Sequence, residues 1–178
     1  TALRTAFAER VRANHVTWVA PSATVFAHLA AIDPRLGDKP GHVIEHGTDP
    51  RLLRAPVLGP RAADAGTARP RLFVLGRLAP HKGQALLLAA LPELLPLVEL
   101  VLIGCGTFCA PFEGTEGIHI VPDYHTRELP DLVEQWRPDA ALFLSLVPET
   151  FSYTLSEVMA LGLPPVATRA GALATRIE

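Results

Sequence analysis

Two segments carry side chains whose types and spacing suit chemistry on an anionic, hydroxyl-bearing ligand. In GRLAPHKG (76–83), Gly76 ends an apolar run, and Arg77 and Lys82 follow in a loop that leads into a helical stretch. Two fixed cations at the carboxyl end of a strand suit a diphosphate. Arginine grips phosphate oxygens with a planar fork, and lysine supplies a compact charge that can follow a leaving group. In VPETFSYTLSEVMALGLPPVAT (147–168), Glu149 and Glu157 flank a loop-to-helix junction with a helix expected to start near Tyr153. Unpaired N–H groups of Ser152, Tyr153 and Thr154 at that helix start would favour an anion. The spacing puts the two carboxylates further apart than the ~5 Å of a retaining hydrolase pair, so they read as two ligand contacts. Glu149 would hold sugar hydroxyls and Glu157 ribose hydroxyls. The plainer alternatives are two solvated cations and two unremarkable surface carboxylates.

Elements able to position these residues alternate along the chain. Apolar runs at 71–76, 98–104, 118–122, 140–146 and 164–168 read as five strands, separated by helices or long loops. The stretch 84–95 is helical in pattern, with Pro92 expected to bend or end it. Leu129, Leu132, Val133 and Trp136 form a core-facing helical stripe. Upstream, TALRTAFAERVRAN is a mildly amphipathic helix, HVTWVA (15–20) a strand, 22–32 a helix with Ser22 as its N-cap, and HVIEHG (42–47) a second strand. Residues 54–70, rich in Ala, Gly and Pro, read as a linker. The expected organisation is the end of a first domain or inter-domain segment at 1–53, the linker at 54–70, and a Rossmann-like, doubly wound α/β domain with a parallel sheet at 71–178.

Composition narrows the chemistry. A net charge of −2 over 178 residues argues against nucleic acid as partner. Cys105 and Cys109, in CGTFC, lack the second ligand pair of a structural zinc site, and they are expected to be reduced intracellular thiols. The seven histidines are scattered, and there is no Asp-x-Asp pair, so no metal and no cofactor are expected. No apolar stretch reaches the ~20 residues of a transmembrane helix, and the start lacks the features of a secretion signal. The expected location is cytoplasmic, compatible with peripheral attachment to the inner face of the membrane in a full-length enzyme.

These segments resemble the GT-B family of retaining glycosyltransferases that includes glycogen synthase, in its group 1 branch. GRLAPHKG is similar to that family's G-R-x-x-x-x-K-G loop, PETFSYTLSEVMALGLPPVAT to its E-x₇-E signature, VIEHGTD (43–49) to the turn that ends its first domain, and VAPSATV (19–25) to that domain's last strand and helix start. The resemblance covers 16–178 and implies the C-terminal, donor-binding half of such an enzyme. By it, Arg77 and Lys82 bind the donor's diphosphate, Glu149 touches the transferred sugar and Glu157 holds the ribose. The loop of Thr150, Phe151, Ser152, Tyr153 and Thr154 closes over the donor. Tyr124, in VPDYHTREL, occupies the place where a base would stack, although the glycine usual in that loop is missing. The turn Gly104-Cys105-Gly106 follows a strand as the family's Gly-rich turn does, but G-x-G-x-x-G fails at Cys109.

The implied activity is transfer of a sugar, with retention, from a nucleoside-diphosphate donor to a hydroxyl acceptor, in polysaccharide or lipopolysaccharide biosynthesis. The acceptor, a glycan or glycolipid, would be held by a first domain whose acceptor loop and catalytic His or Asp this chain lacks. The chain also ends inside a helical pattern at ATRIE, short of the family's closing strand and helix. By itself it is expected to be inactive. A non-catalytic nucleotide-sugar-binding module would bind without transfer, and a sugar-nucleotide epimerase on the same fold would release product without an acceptor.

Overall fold

A computed structural model of the chain describes residues 2–54 and 69–178. Most of the linker expected at 54–70 therefore lies outside the described residues. The first stretch holds helix α1 (Ala2–Ala13), strand β1 (Trp18–Ala20), helices α2 (Ala23–Ile32) and α3 (Pro34–Gly37), and strand β2 (Gly41–Val43), with β1 and β2 paired in parallel. Both strands are shorter than their apolar runs suggested. Ala8, Val11 and Leu36 form a small core of their own, with Trp18 and Leu29 packed on it.

The larger unit is built on strands β3 (Arg71–Leu75), β4 (Glu99–Ile103), β5 (Ile118–Val121), β6 (Ala140–Phe143) and β7 (Pro165–Ala167). All pairs are parallel, in the order β5-β4-β3-β6-β7. The five strands expected after the linker are thus the five observed. Parallel strands need crossovers, and here they are helix α4 (Gln84–Leu94), the 3₁₀ helix Gly106–Phe112, helix α5 (Leu129–Trp136) and helix α6 (Tyr153–Ala160), followed by helix α7 (Ala172–Ile177). α4 passes through Pro92 and ends two residues later.

The pleat sorts the side chains into two cores. Phe73, Leu75, Val101, Ile103, Ala141 and Phe143 face one side with Leu129 and Val133 of α5 and Leu155 and Val158 of α6. Val74, Leu100 and Leu102 face the other, against Leu87 of α4 and Phe112. Such a sheet is covered on both faces, which is why its strands read as continuous apolar runs. Leu52, upstream of the linker, is 1% exposed and belongs to the first of these cores, so that core also draws on a residue from before β3.

A second correction concerns the cysteines. Cys105 and Cys109 are not free thiols but are joined in a disulfide, with their Cα atoms 5.5 Å apart. The tight winding that starts at Gly106 brings the two buried sulfurs together beneath α4, a proximity that the zinc-spacing argument did not address.

Candidate functional site

From β3 the chain steps outward to β4 and β5, then returns to lay β6 on the other side of β3. The loops leaving β3 and β6 diverge there, and such a switch point is where open α/β sheets bind ligands. A cleft of about 320 Å³ lies at this point. It is lined by Gly76, Arg77 and Lys82 from the first loop and by Ser145, Glu149 and the 150–154 segment from the second. Thr150, Phe151, Ser152, Tyr153 and Thr154 all line it. Of the residues that the sequence assigns to the donor site, Glu157 and Tyr124 lie outside this lining.

The two loops are tied to each other. Leu146 donates its N–H to the carbonyl of His81 at 2.9 Å, and Lys82 Nζ is ion-paired with Glu149 Oε1 across the cleft. The cation and the carboxylate to which the sequence assigns separate contacts are therefore partners in this state. Arg77 is exposed, with its guanidinium 5.5 Å from the centre of the Phe108 ring, and among the described residues it has no carboxylate partner. Gly76 approaches the Thr154 side chain, where an added Cβ would sit 3.0 Å from Cγ2.

Glu149 is placed by backbone. Its N–H reaches the carbonyl of Ala170 at 3.2 Å, and its own carbonyl accepts from the N–H of Ala172 at 2.8 Å, a one-residue parallel bridge to Gly171. Gly171 has φ +60°, and a Cβ there would meet Glu149 O at 2.5 Å and Glu149 N at 2.7 Å. Both are backbone atoms that cannot rotate aside. Gly171→Ala is expected to cost about 2–3 kcal/mol in urea denaturation through strain and displacement. A full-stability Gly171→Ala variant would contradict this packing.

Glu157, one turn into α6, is half-buried away from the cleft lining. It accepts hydrogen bonds from Tyr124 Oη at 3.1 Å and Thr126 Oγ1 at 3.0 Å. Burial raises its pKa above the ordinary 4.5, against the opposing pull of the two hydroxyls. Burial, and then the charge of Glu157, push the Tyr124 phenol up as well, so it donates at neutral pH. The Tyr124 ring packs on Gly104, where an added Cβ would lie 2.5 Å from Cε1. The two carboxylates of the E-x₇-E signature thus have separate sets of partners, and only Glu149 faces Lys82.

The raised pKa has a stability consequence. Protonated Glu157 suits the fold better than ionised Glu157, so its contribution is full below 4.5 and is lost as pH rises through the folded-state value. Glu157→Gln is therefore expected to melt no lower than the parent at pH 7. Its advantage should shrink as pH falls toward 4. Calorimetric melting at the two pH values checks this, and a variant markedly less stable at pH 7 would refute it.

Sequence reasoning missed two polar cleft residues. His46 stacks on Tyr153, ring centroids 4.7 Å apart and 20° between planes, and meets Phe151 edge-on at 4.8 Å. It lies where the strand expected at 42–47 and the turn VIEHGTD (43–49) overlap, neither of which marks a ligand contact. Ser145 donates from Oγ to the Val147 carbonyl at 3.1 Å and so shapes the loop after β6; nothing in an apolar run marks one serine as special. Among the described residues, no cluster of three or more His, Cys, Asp or Glu side chains is placed to hold a metal ion, and no helix is long and apolar enough to cross a membrane.

Known proteins share this architecture. Sucrose-phosphate synthase from Thermosynechococcus elongatus superposes with a TM-score of 0.74 at 21% identity, over all of this chain and 47% of its own. Anabaena Alr3699/HepE, crystallised in complex with UDP and glucose, gives 0.64 at 22% identity, over 90% of this chain and 46% of its own. The catalytic domain of starch synthase IV from Arabidopsis thaliana, bound to ADP and acarbose, gives 0.62 at 20% identity, over 91% and 41%. The chain spans less than half the length of each. At these identities the likeness establishes the fold, that of GT-B glycosyltransferases. A comparison with curated protein sequences finds no match. The family model described as glycosyl transferases group 1 matches residues 69–178, which hold the whole five-stranded sheet and all of the cleft lining except His46. With more than half of the chain under that match, and the cationic loop and E-x₇-E segment within it, the chain belongs to the group 1 glycosyltransferases.

Proposed function

We propose that this chain is the donor-binding half of a two-domain glycosyltransferase that moves a sugar, with retention, from a nucleoside diphosphate to a hydroxyl acceptor. The observation that carries the reading is the gathering of Arg77, Lys82, Glu149 and the start of α6 around one cleft at the switch point. A nucleoside-diphosphate sugar carries the features this set could read: a diphosphate for the cations and the helix start, sugar hydroxyls for Glu149, and ribose hydroxyls for Glu157. A uridine donor is the first to test, since UDP and glucose occupy the Anabaena neighbour.

As the bond from the anomeric carbon to the diphosphate breaks, negative charge grows on the leaving phosphate, while the acceptor hydroxyl supplies the oxygen of the new bond and gives its proton to the departing phosphate. Cations and N–H groups already aimed at that position stabilise the transition state more than the ground state. Lys82 would leave Glu149 for the phosphate, freeing that carboxylate for the sugar. Arg77, with no carboxylate partner among the described residues, would hold the diphosphate. The acceptor would be a glycan or glycolipid held by the other domain, in polysaccharide or lipopolysaccharide synthesis.

Calorimetric titration of the chain with uridine, guanosine and adenosine diphosphates tests the reading. One nucleotide is expected to bind, with affinity lost in Lys82→Ala and in Glu157→Ala variants that stay folded. Equal binding by parent and variants would remove the donor site from this cleft. Release of an epimerised sugar or nucleotide sugar without any acceptor would instead favour an epimerase.

A further inference from the structure

Three successive carbonyls in the loop entering α6 are each taken by a side chain from outside it. Ser22 Oγ donates to the carbonyl of Thr150 at 2.5 Å. Arg176 Nη1 donates to the carbonyls of Phe151 and Ser152 at 2.9 and 3.1 Å, and Nη2 donates to Ser156 Oγ at 2.9 Å. The guanidinium also lies 3.9 Å from the centre of the Phe151 ring, and both Arg176 and Phe151 are largely buried. Ser22 stands at the N-cap position of α2, as expected, yet its side chain makes no capping bond, because its hydroxyl serves Thr150 instead. The two donor residues reach the loop from the N-cap of α2 and from α7.

In a trans peptide the C=O and the following N–H point in opposite directions. Carbonyls 150, 151 and 152 turned toward Ser22 and Arg176 therefore turn the N–H groups of Phe151, Ser152 and Tyr153 the other way. Among the described residues, none of these groups, nor the Thr154 N–H, donates a hydrogen bond. All four residues line the cleft. At the centre of the set, Ser152 has φ +70° and ψ +92°, a conformation that a residue other than glycine keeps only where its surroundings over-determine it. The two donors supply that determination.

We propose that Arg176 and Ser22 are positioning residues that hold the 150–153 backbone with its amides presented to the cleft as an anion cradle. The proposal rests on the donor-site reading above for what the cradle binds, and on the hydrogen bonds alone for how it is held. Arginine is required because one planar fork meets two carbonyls and a hydroxyl at once, whereas a lysine ammonium, with no planar fork, does not satisfy the same set in that geometry.

The experiment titrates the chain with inorganic pyrophosphate, which is independent of base and sugar, and follows ¹⁵N amide resonances of residues 151–153. Arg176→Met is expected to weaken pyrophosphate binding by about tenfold and Ser22→Ala by about threefold, with Arg176→Lys recovering little of the loss. The amides of Phe151, Ser152 and Tyr153 should shift in the ligand-free variants while those of β4 stay in place. Ser22→Ala and Arg176→Lys carry the test if Arg176→Met does not fold. Loop amides that stay put, or unchanged affinity where the parent binds, overturn the proposal. A parent that binds neither pyrophosphate nor any nucleotide brings down the donor-site reading instead, and the amide shifts then decide the positioning role by themselves.

Discussion

Replacing Lys82 by alanine is expected to lower the turnover of sugar transfer by about a hundredfold or more in an enzyme that holds both domains, the largest functional effect of any single change in the cleft. Lys82 is the cation that faces Glu149 across the cleft, and the leaving phosphate would take over that charge during reaction. Its removal acts twice. The growing negative charge loses a stabilising partner, and Glu149, whose side chain is 13% exposed, loses its counter-ion in a partly desolvated place. Because the leaving group's charge is greater in the transition state than in the bound donor, the loss should fall more on kcat than on KM. Lys82→Arg should recover only part of it, since a planar fork replaces a compact ammonium. Steady-state transfer kinetics beside a circular-dichroism check of folding measures this, and a kcat within twofold of the parent would show that Lys82 does not meet the leaving group.

The largest stability effect is expected next door. Gly83→Ala should cost about 3 kcal/mol or more in urea denaturation. Gly83 ends the 3₁₀ turn Pro80–Lys82 and caps α4, where its carbonyl accepts from the Leu87 N–H at 2.8 Å. Two independent penalties apply. Its φ is +90°, which disfavours any side chain, and a Cβ would lie 2.3 Å from the backbone oxygen of Leu144 and 2.6 Å from the Leu144 Cβ. Relief would require the loop after β3 to move away from the end of β6. That contact seats the two cleft loops against each other, so the variant should lose nucleotide affinity together with stability. A Gly83→Ala protein that unfolds at the parent's urea concentration would mean that the loops are not packed as described.

The carbonyl clamp and the cleft belong to the same picture. Ser22 and His46 come from the stretch before the linker, and both touch the 150–153 segment. Glu45 of that stretch lies 3.9 Å from Arg176 as well. The 150–153 loop is thus braced by the upstream piece as well as by its own domain, and a change in that piece can reach the cleft through defined contacts.

What the sequence by itself determined is local. Apolar runs such as 98–104 and 118–122 specify buried parallel strands, because a sheet covered on both faces demands apolar side chains on both sides of each strand. The order of elements, with Arg77 and Lys82 just after one strand and Glu149 just after another, already delivers three charged groups to one sheet edge. The helix start near Tyr153 and the group 1 motif spacing were legible for the same reason. Only the tertiary structure decided who partners whom. Lys82 pairs with Glu149, Glu157 is bound by Tyr124 and Thr126, Ser22 serves Thr150 and not its own helix, and Arg176 from the last helix holds two loop carbonyls. Cys105 and Cys109 were read from ligand spacing, yet what joins them is the 3₁₀ winding between them. Periodicity reports which face of an element is buried. Hydrogen bonds between residues 24 to 128 positions apart in sequence depend on the order and register of the strands that carry them together, and no local pattern encodes that.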